Sequence, residues 1–302
     1  MESKSGEISV AMPRLRGRVV ADLLELSKPR VVAMVLATTL VGFYLGSAAP
    51  TEYWLLVKAL VGTGMAAAGT LALNQYLERD LDARMERTRS RPLPSGRLQP
   101  FDALVFGALT TVTGLAVLSL TVNGLSGMVT AIIVTTYLFV YTPMKRRSAL
   151  CSLVGAIPGA LPPVTGWVAA RGELGIGAWL LFAILFFWQL PHSLAIAKLY
   201  AGDYARAGFR LLPIVDADGY STERQVVGNC AALLVVGLMP TLLGLTGPFY
   251  FVAALILGAG FFACGLRMAW LRTVPAARAV LLASLLYLPL LLAAMAVDKV
   301  PI

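Results

Sequence analysis

A chain of 302 residues that is 58% hydrophobic and only 14% charged cannot cover a water-soluble body with polar side chains, since soluble domains carry about a quarter charged residues. The bilayer is its main solvent, and at about 20 apolar residues per crossing the length allows roughly eight to ten spans. The net charge of +9 does not indicate nucleic acid, because the basic residues cluster between apolar runs, where retention of basic loops on the cytoplasmic side explains them.

Residues 1–30 read as a cytoplasmic N-terminal segment. Arg14, Arg16 and Arg18 are followed by Asp22, Glu25 and Lys28-Pro29-Arg30, without the cleavage pattern of a secretory signal, and Glu2 and Glu7 argue against a transit peptide. Apolar runs then fall at 31–49, 53–74, 101–121, 124–142, 149–170, 177–200, 226–245, 248–269 and 277–297. The expectation is an all-α polytopic bundle of nine membrane helices forming one domain over 31–297. Cys151, Cys230 and Cys264 are scattered without a C-x-x-C pair and read as reduced core residues.

Charge tests the count. If nine spans alternate, 22 of the 25 Lys and Arg lie on the side of the N-terminus, and only Lys58, Arg171 and Lys299 fall elsewhere. Basic loops stay cytoplasmic, so the N-terminus is expected inside and the C-terminus outside. The loops after spans 2 and 6 are long, polar and on that same inner side, which is where function is expected on so minimal a scaffold.

The end of span 2 carries the first chemistry. Asn74, Glu78 and Asp82 are spaced four apart, so a helix running past the membrane edge places them on one face. An amide and two carboxylates are hard oxygen ligands of the kind Mg²⁺ takes alongside water and substrate phosphates. Nearby Arg87 and Arg91 have the forked geometry that grips phosphate oxygens. Asp80 lies about 200° round the helix from Glu78 and is expected to pair with Arg84. A solvated helix end laced with ion pairs would have the same composition; Asn74 and Glu78 near the bilayer edge favour a working site, because polar groups there are costly unless used.

Further along, Lys145, Arg146 and Arg147 follow span 4 as topology anchors or anion contacts. The run Pro158 to Pro163 predicts a bend inside span 5, either a plain kink or one that widens a cavity. His192, the single histidine, lies about eight residues from the inner end of span 6. It also lies eleven residues before Asp203, so a continuous helix would put both on one face. A lone histidine of this kind is either a hydrogen-bonded core residue or a ligand.

The run Asn74-x-x-x-Glu78-x-Asp80-x-Asp82, followed by Arg87-Thr-x-x-Arg91-Pro-Leu, resembles the first signature of the UbiA-type intramembrane prenyltransferases. Tyr141-Thr-Pro-Met-Lys145-Arg146, the segment Gly155 to Trp167, Trp188-Gln-Leu-Pro191-His192 and Asp203-Tyr204 through Pro213 resemble the branch of that family that farnesylates protohaem IX. The resemblance runs from Lys28-Pro29-Arg30 to span 9. It implies Mg²⁺ held by Asn74, Glu78, Asp82 and Asp203, which the branch would use catalytically. Arg87, Arg91, Lys145 and Arg146 would contact the diphosphate, and Tyr141, Trp188 and His192 would contact substrate, His192 as a ligand to haem iron. Glu78 stands where the family usually has Asp, and Asp203 is the only clear counterpart of a second acidic motif.

The implied reaction moves a farnesyl group from farnesyl diphosphate to a vinyl group of haem B, with addition of water, giving haem O. Implied partners are the lipid bilayer, haem B, farnesyl diphosphate and, as a candidate, the next haem-modifying enzyme, in a plasma membrane with the active site on the cytoplasmic side. The rival readings are prenylation of an aromatic quinone precursor and, from another class, membrane transport. Transport would call for charges near mid-bilayer, whereas these gather at one face.

Overall fold

Within hydrocarbon the backbone amides of an apolar run have no partners but one another, so each run closes into a helix. The computed structural model describes residues 14–48 and 52–300; the readings placed on residues 1–13, including Glu2 and Glu7, lie outside the described residues. A short helix α1 (Arg14–Leu26) leads into α2 (Pro29–Gly46), α3 (Tyr53–Asp82), α4 (Pro100–Thr121) and α5 (Gly124–Thr135). A π-helical turn (Thr136–Tyr141) and α6 (Thr142–Met144) continue α5. Then come α7 (Cys151–Ala160), α8 (Pro162–Arg171), α9 (Ile176–Leu199), α10 (Ala201–Arg206) and α11 (Leu212–Val215). The chain ends with α12 (Tyr220–Leu242), α13 (Pro248–Leu271) and α14 (Val274–Val297). Among the described residues nine helical stretches are long and apolar enough to cross a membrane, as the sequence predicts.

Three departures from the simple pattern of apolar runs shape the site. The second spanning helix continues eight residues beyond its apolar run, to Asp82. The fifth is two helices with a break at Leu161, where Pro162 and Pro163 withhold backbone donors. The expected bend is therefore present, and Thr39 Oγ1 lies 3.2 Å from the Pro162 carbonyl, tying α2 to the start of α8. The fourth contains the π turn, which no apolar pattern announces.

Close helix contacts come from small residues, as is usual where lipid offers no hydrophobic drive for association. Gly42 on α2 faces the Pro163 backbone, and Gly166 on α8 faces the Thr39 carbonyl. At either glycine a Cβ would collide with backbone that cannot move aside. The three cysteines are free; Cys151 and Cys230 are buried and Cys264 is half-buried.

The three basic residues that break the charge asymmetry have a common explanation. At the end opposite α1, Arg171 donates to the Gly46 carbonyl, and Lys299 donates to the carbonyls of Tyr44 and Ser47. Lys58 reaches the Thr121 carbonyl at 3.5 Å. Each sits on the C-terminal end of a helix, where unpaired carbonyls and the dipole favour a cation.

Candidate active site

Because α3 stays helical through Asp82, Asn74, Glu78 and Asp82 occupy one face, and all three are buried. Asn74 Nδ2 donates to Thr142 Oγ1 at 3.0 Å, and among the described residues nothing donates to its amide oxygen. Glu78 accepts from Lys145 Nζ through both oxygens, at 2.8 and 2.9 Å. Asp82 Oδ2 accepts from Arg91 Nη1 at 2.7 Å. Asp80 points away from this face and its side chain is 81% exposed. Its ion partner is Arg79, at 3.8 Å, rather than the expected Arg84. The helix ends at Asp82, so Arg84 is not one helical turn further along the same face.

The π turn explains how Lys145 arrives. Pro143 has no N–H, and the turn lets the Thr142 N–H reach the Tyr137 carbonyl one residue further back than in an α-helix. Thr142 Oγ1 donates to that same carbonyl at 2.8 Å. The extra residue carries Thr142 to Asn74 and Lys145 to Glu78, with Lys145 Nζ 4.7 Å from the centre of the Tyr141 ring.

Asp203 belongs to the same end of the bundle but has a different set of partners. Its oxygens accept from the backbone N–H groups of Glu86 and Arg87, each at 3.4 Å, and from Arg206. Arg87 donates to the Tyr204 hydroxyl at 3.2 Å and lies over the Tyr200 and Tyr204 rings. Met85, Cys151, Ala207, Phe209 and Leu211 form a small core of their own beneath these loops. Asp203 thus fastens the arginine-bearing loop after α3 to the loop after α9. The helix breaks at Tyr200, between α9 and α10, so the expected shared face of His192 and Asp203 does not exist. Arg146 is exposed at this end.

Lys28 is a site residue that the sequence reading passed over. It stands between α1 and α2 in a left-handed conformation, φ 50°, unusual for a residue with a side chain. Gln75, beside Asn74, donates to the Leu26 carbonyl at 2.6 Å, and Arg97 grips Asp22, Glu25 and the Ser90 carbonyl. These bonds clamp α1 onto the site. Burial, followed by the charges of Arg91 and Lys145, brings the Lys28 pKa down to about 7, against the pull of Asp82 and Glu78. The signal in the sequence was the run Lys28-Pro29-Arg30, at which the family resemblance begins.

Beneath this polar cluster lies a mainly apolar cavity of about 280 Å³. Val31 and Val35, just after Lys28, line it together with Thr63, Ala66, Thr70 and Tyr141; Pro158, Gly159 and Pro162 of the broken span and Gln189 complete part of the wall. The proline break is therefore both a kink and a cavity wall. Thr63 Oγ1, deep along α3, is buried and has no hydrogen-bond partner among the described residues.

His192 and Trp188 do not line this cavity. They stack on each other with ring centres 4.9 Å apart, and both bond to Ser284 of α14, His192 Nδ1 to Oγ at 2.7 Å and Trp188 Nε1 to the backbone carbonyl at 2.8 Å. On an ideal helix His192 lies about 60° round from Gln189, so it neighbours the cavity wall.

The donor set suits Mg²⁺. Among the described residues the Asn74 amide oxygen and Asp82 Oδ1 have no donor, and Glu78 is held by the Lys145 ammonium, a position a metal cation could take in its place. One or two carboxylates are what Mg²⁺ usually takes from a protein when phosphates complete its shell. Among the described residues no three acidic, His or Cys side chains converge tightly enough to cage a metal alone.

Acids and cations roofing an apolar shaft define a membrane-embedded enzyme for substrates with a charged head and an apolar tail. Residues 35–295 match the UbiA prenyltransferase family, and the chain belongs to that family. It is 48% identical over 288 residues to a protoheme IX farnesyltransferase of Solibacter usitatus, covering 92% of this chain and 98% of the relative. It is 42% identical to a protoheme IX farnesyltransferase of Koribacter versatilis, over 99% of both chains. The fold is similar to that in a structural study of digeranylgeranylglyceryl phosphate synthase (TM-score 0.77, 17% identity, 92% of this chain and 98% of that one). It is also similar to a UbiA homologue from Archaeoglobus fulgidus bound to GPP and Mg²⁺ (TM-score 0.62, 17% identity, 91% and 99% coverage).

Proposed function

We propose that this protein transfers a farnesyl group from farnesyl diphosphate to a vinyl group of haem B, with addition of water, to give haem O. The observation that carries the reading is the buried face of Asn74, Glu78 and Asp82, roofed by Lys145 and Arg91 directly above an apolar cavity. A diphosphate head and a prenyl tail match those two compartments. The relatives named protoheme IX farnesyltransferase support the choice of farnesyl donor and haem acceptor.

Asn74, Glu78 and Asp82 would hold Mg²⁺, which when bound supplies positive charge to a departing diphosphate. Lys145 and Arg91, released from the carboxylates, would then turn to phosphate oxygens, with Lys28 as a third cation. Their charge favours cleavage of the farnesyl C1–O bond, whose electron pair leaves with the diphosphate. The vinyl π electrons attack C1, water adds to the resulting cation, and a proton is lost. Arg87 and Arg146 lie at the exposed rim, suited to meet the incoming diphosphate. Asp203 would hold the arginine loop over the site; direct ligation of metal would require it to give up the loop amides. Tyr141 would line the junction of head and tail, while Trp188 and His192 would meet haem from the side of α9.

Lys and Arg crowd the α1 end of the bundle, which supports a cytoplasmic active site in a bacterial plasma membrane. The test is product analysis of purified protein with haem B, farnesyl diphosphate and Mg²⁺. Haem O is the expected mass. Failure to form it, with prenylation of an aromatic acid under the same conditions, would refute the reading.

A further inference from the structure

We propose that Ser284 is a positioning residue that holds His192 in the tautomer with a bare Nε2, the form able to bind the iron of the haem substrate. Ser284 Oγ lies 2.6 Å from the Leu281 carbonyl and 2.7 Å from His192 Nδ1. A hydroxyl has one proton, and a carbonyl can only accept. If Ser284 gave its proton to Nδ1, the short contact to Leu281 would set two oxygens together with no proton between them. If Nδ1 carries the proton, it donates to Ser284, Ser284 donates to Leu281, and both bonds are made. The second arrangement leaves Nε2 with its lone pair free.

Ser284 is fully buried, so water cannot substitute for it. The ring's remaining freedom is removed by stacking on Trp188, interplanar angle 21°. Trp188 is itself anchored, through Nε1, on the Ser284 carbonyl. One residue of α14 therefore sets both the proton and the plane of the imidazole. Histidines that bind metals are commonly fixed in this way by a partner on the other nitrogen. A histidine serving only to join α9 to α14 would need neither a defined tautomer nor a free second nitrogen.

The inference rests on the reading of His192 as a haem contact, and the experiment separates the two. Haem B is titrated into wild type, His192→Ala, Ser284→Ala and Ser284→Thr, following the Soret band, with farnesyl diphosphate binding and thermal stability measured on the same samples. Ser284→Ala is expected to weaken haem binding about 10-fold and to shift the Soret maximum. Ser284→Thr, which keeps the hydroxyl, is expected to restore both. Farnesyl diphosphate binding stays as in wild type. The Trp188 bond to the backbone survives either substitution and keeps α9 against α14. Identical haem titrations for wild type and His192→Ala would overturn the ligand reading and this inference together. A changed His192→Ala with Ser284→Ala matching wild type in affinity and spectrum would overturn the inference alone.

Discussion

Lys145 Nζ stands 2.8 and 2.9 Å from the two carboxylate oxygens of Glu78, and the two side chains are 14% and 9% exposed. A buried pair so placed is a poor stabiliser, because desolvation of both charges offsets much of their attraction. Under the proposed function, the pair holds both side chains on the site face until metal and substrate separate them. Arg91 and Asp82 repeat the arrangement one turn along α3.

Substitutions on this helix should divide sharply by face. Glu78→Gln and Asp82→Asn are each expected to lower farnesyl transfer about 100-fold or more, while haem binding persists. Asp80→Asn removes only an exposed contact with Arg79, worth at most about 1 kcal/mol, and should leave turnover within a few-fold of wild type. Steady-state assays of the three variants decide it. Equal losses at Asp80 and Glu78 would mean that face does not matter.

Lys28→Met tests the third cation. Loss of a charge-assisted contact to phosphate, about 1.5–3 kcal/mol, should weaken Mg²⁺-dependent farnesyl diphosphate binding roughly 10- to 100-fold. Lys28→Arg should retain most of it. Lys28→Asn, which tolerates the left-handed backbone, should be as weak as Lys28→Met. Calorimetry on the three variants gives the answer, and strong binding by Lys28→Asn would show that only the backbone turn matters.

Thr63 marks the depth of the tail cavity. It lies fifteen residues before Glu78 on one continuous helix, about 22 Å away, and lines the cavity wall. Filling that end with Thr63→Phe should favour geranyl over farnesyl diphosphate, read as a rise in the ratio of their kcat/KM values. Overpacking costs about 1–3 kcal/mol, so a melting curve accompanies the assay. An unchanged ratio in a folded variant would place the tail elsewhere.

Orientation is checked by labelling single cysteines in a variant lacking Cys151, Cys230 and Cys264. A cysteine at Arg89 should react only from the cytoplasm and one at Val300 only from outside. Labelling of both from one side would contradict an odd number of crossings.

Much of this protein was legible in one dimension because a bilayer makes composition decisive. Backbone groups must pair within each apolar run, so nine runs predict nine helices. A four-residue spacing likewise placed Asn74, Glu78 and Asp82 on one face, since local helix geometry needs no distant partner. Relations set by packing were not legible. The break at Tyr200 removed the expected alignment of His192 with Asp203, and Asp203 found loop amides contributed by residues more than a hundred positions away. Lys28 joins the site because Gln75 and Arg97 fasten α1 there, and Lys145 reaches Glu78 through a π turn that leaves no mark in hydropathy. Ser284 meets His192 across 92 residues of chain. Periodicity reports which face of a helix a side chain occupies, but only the packed bundle decides what stands opposite that face.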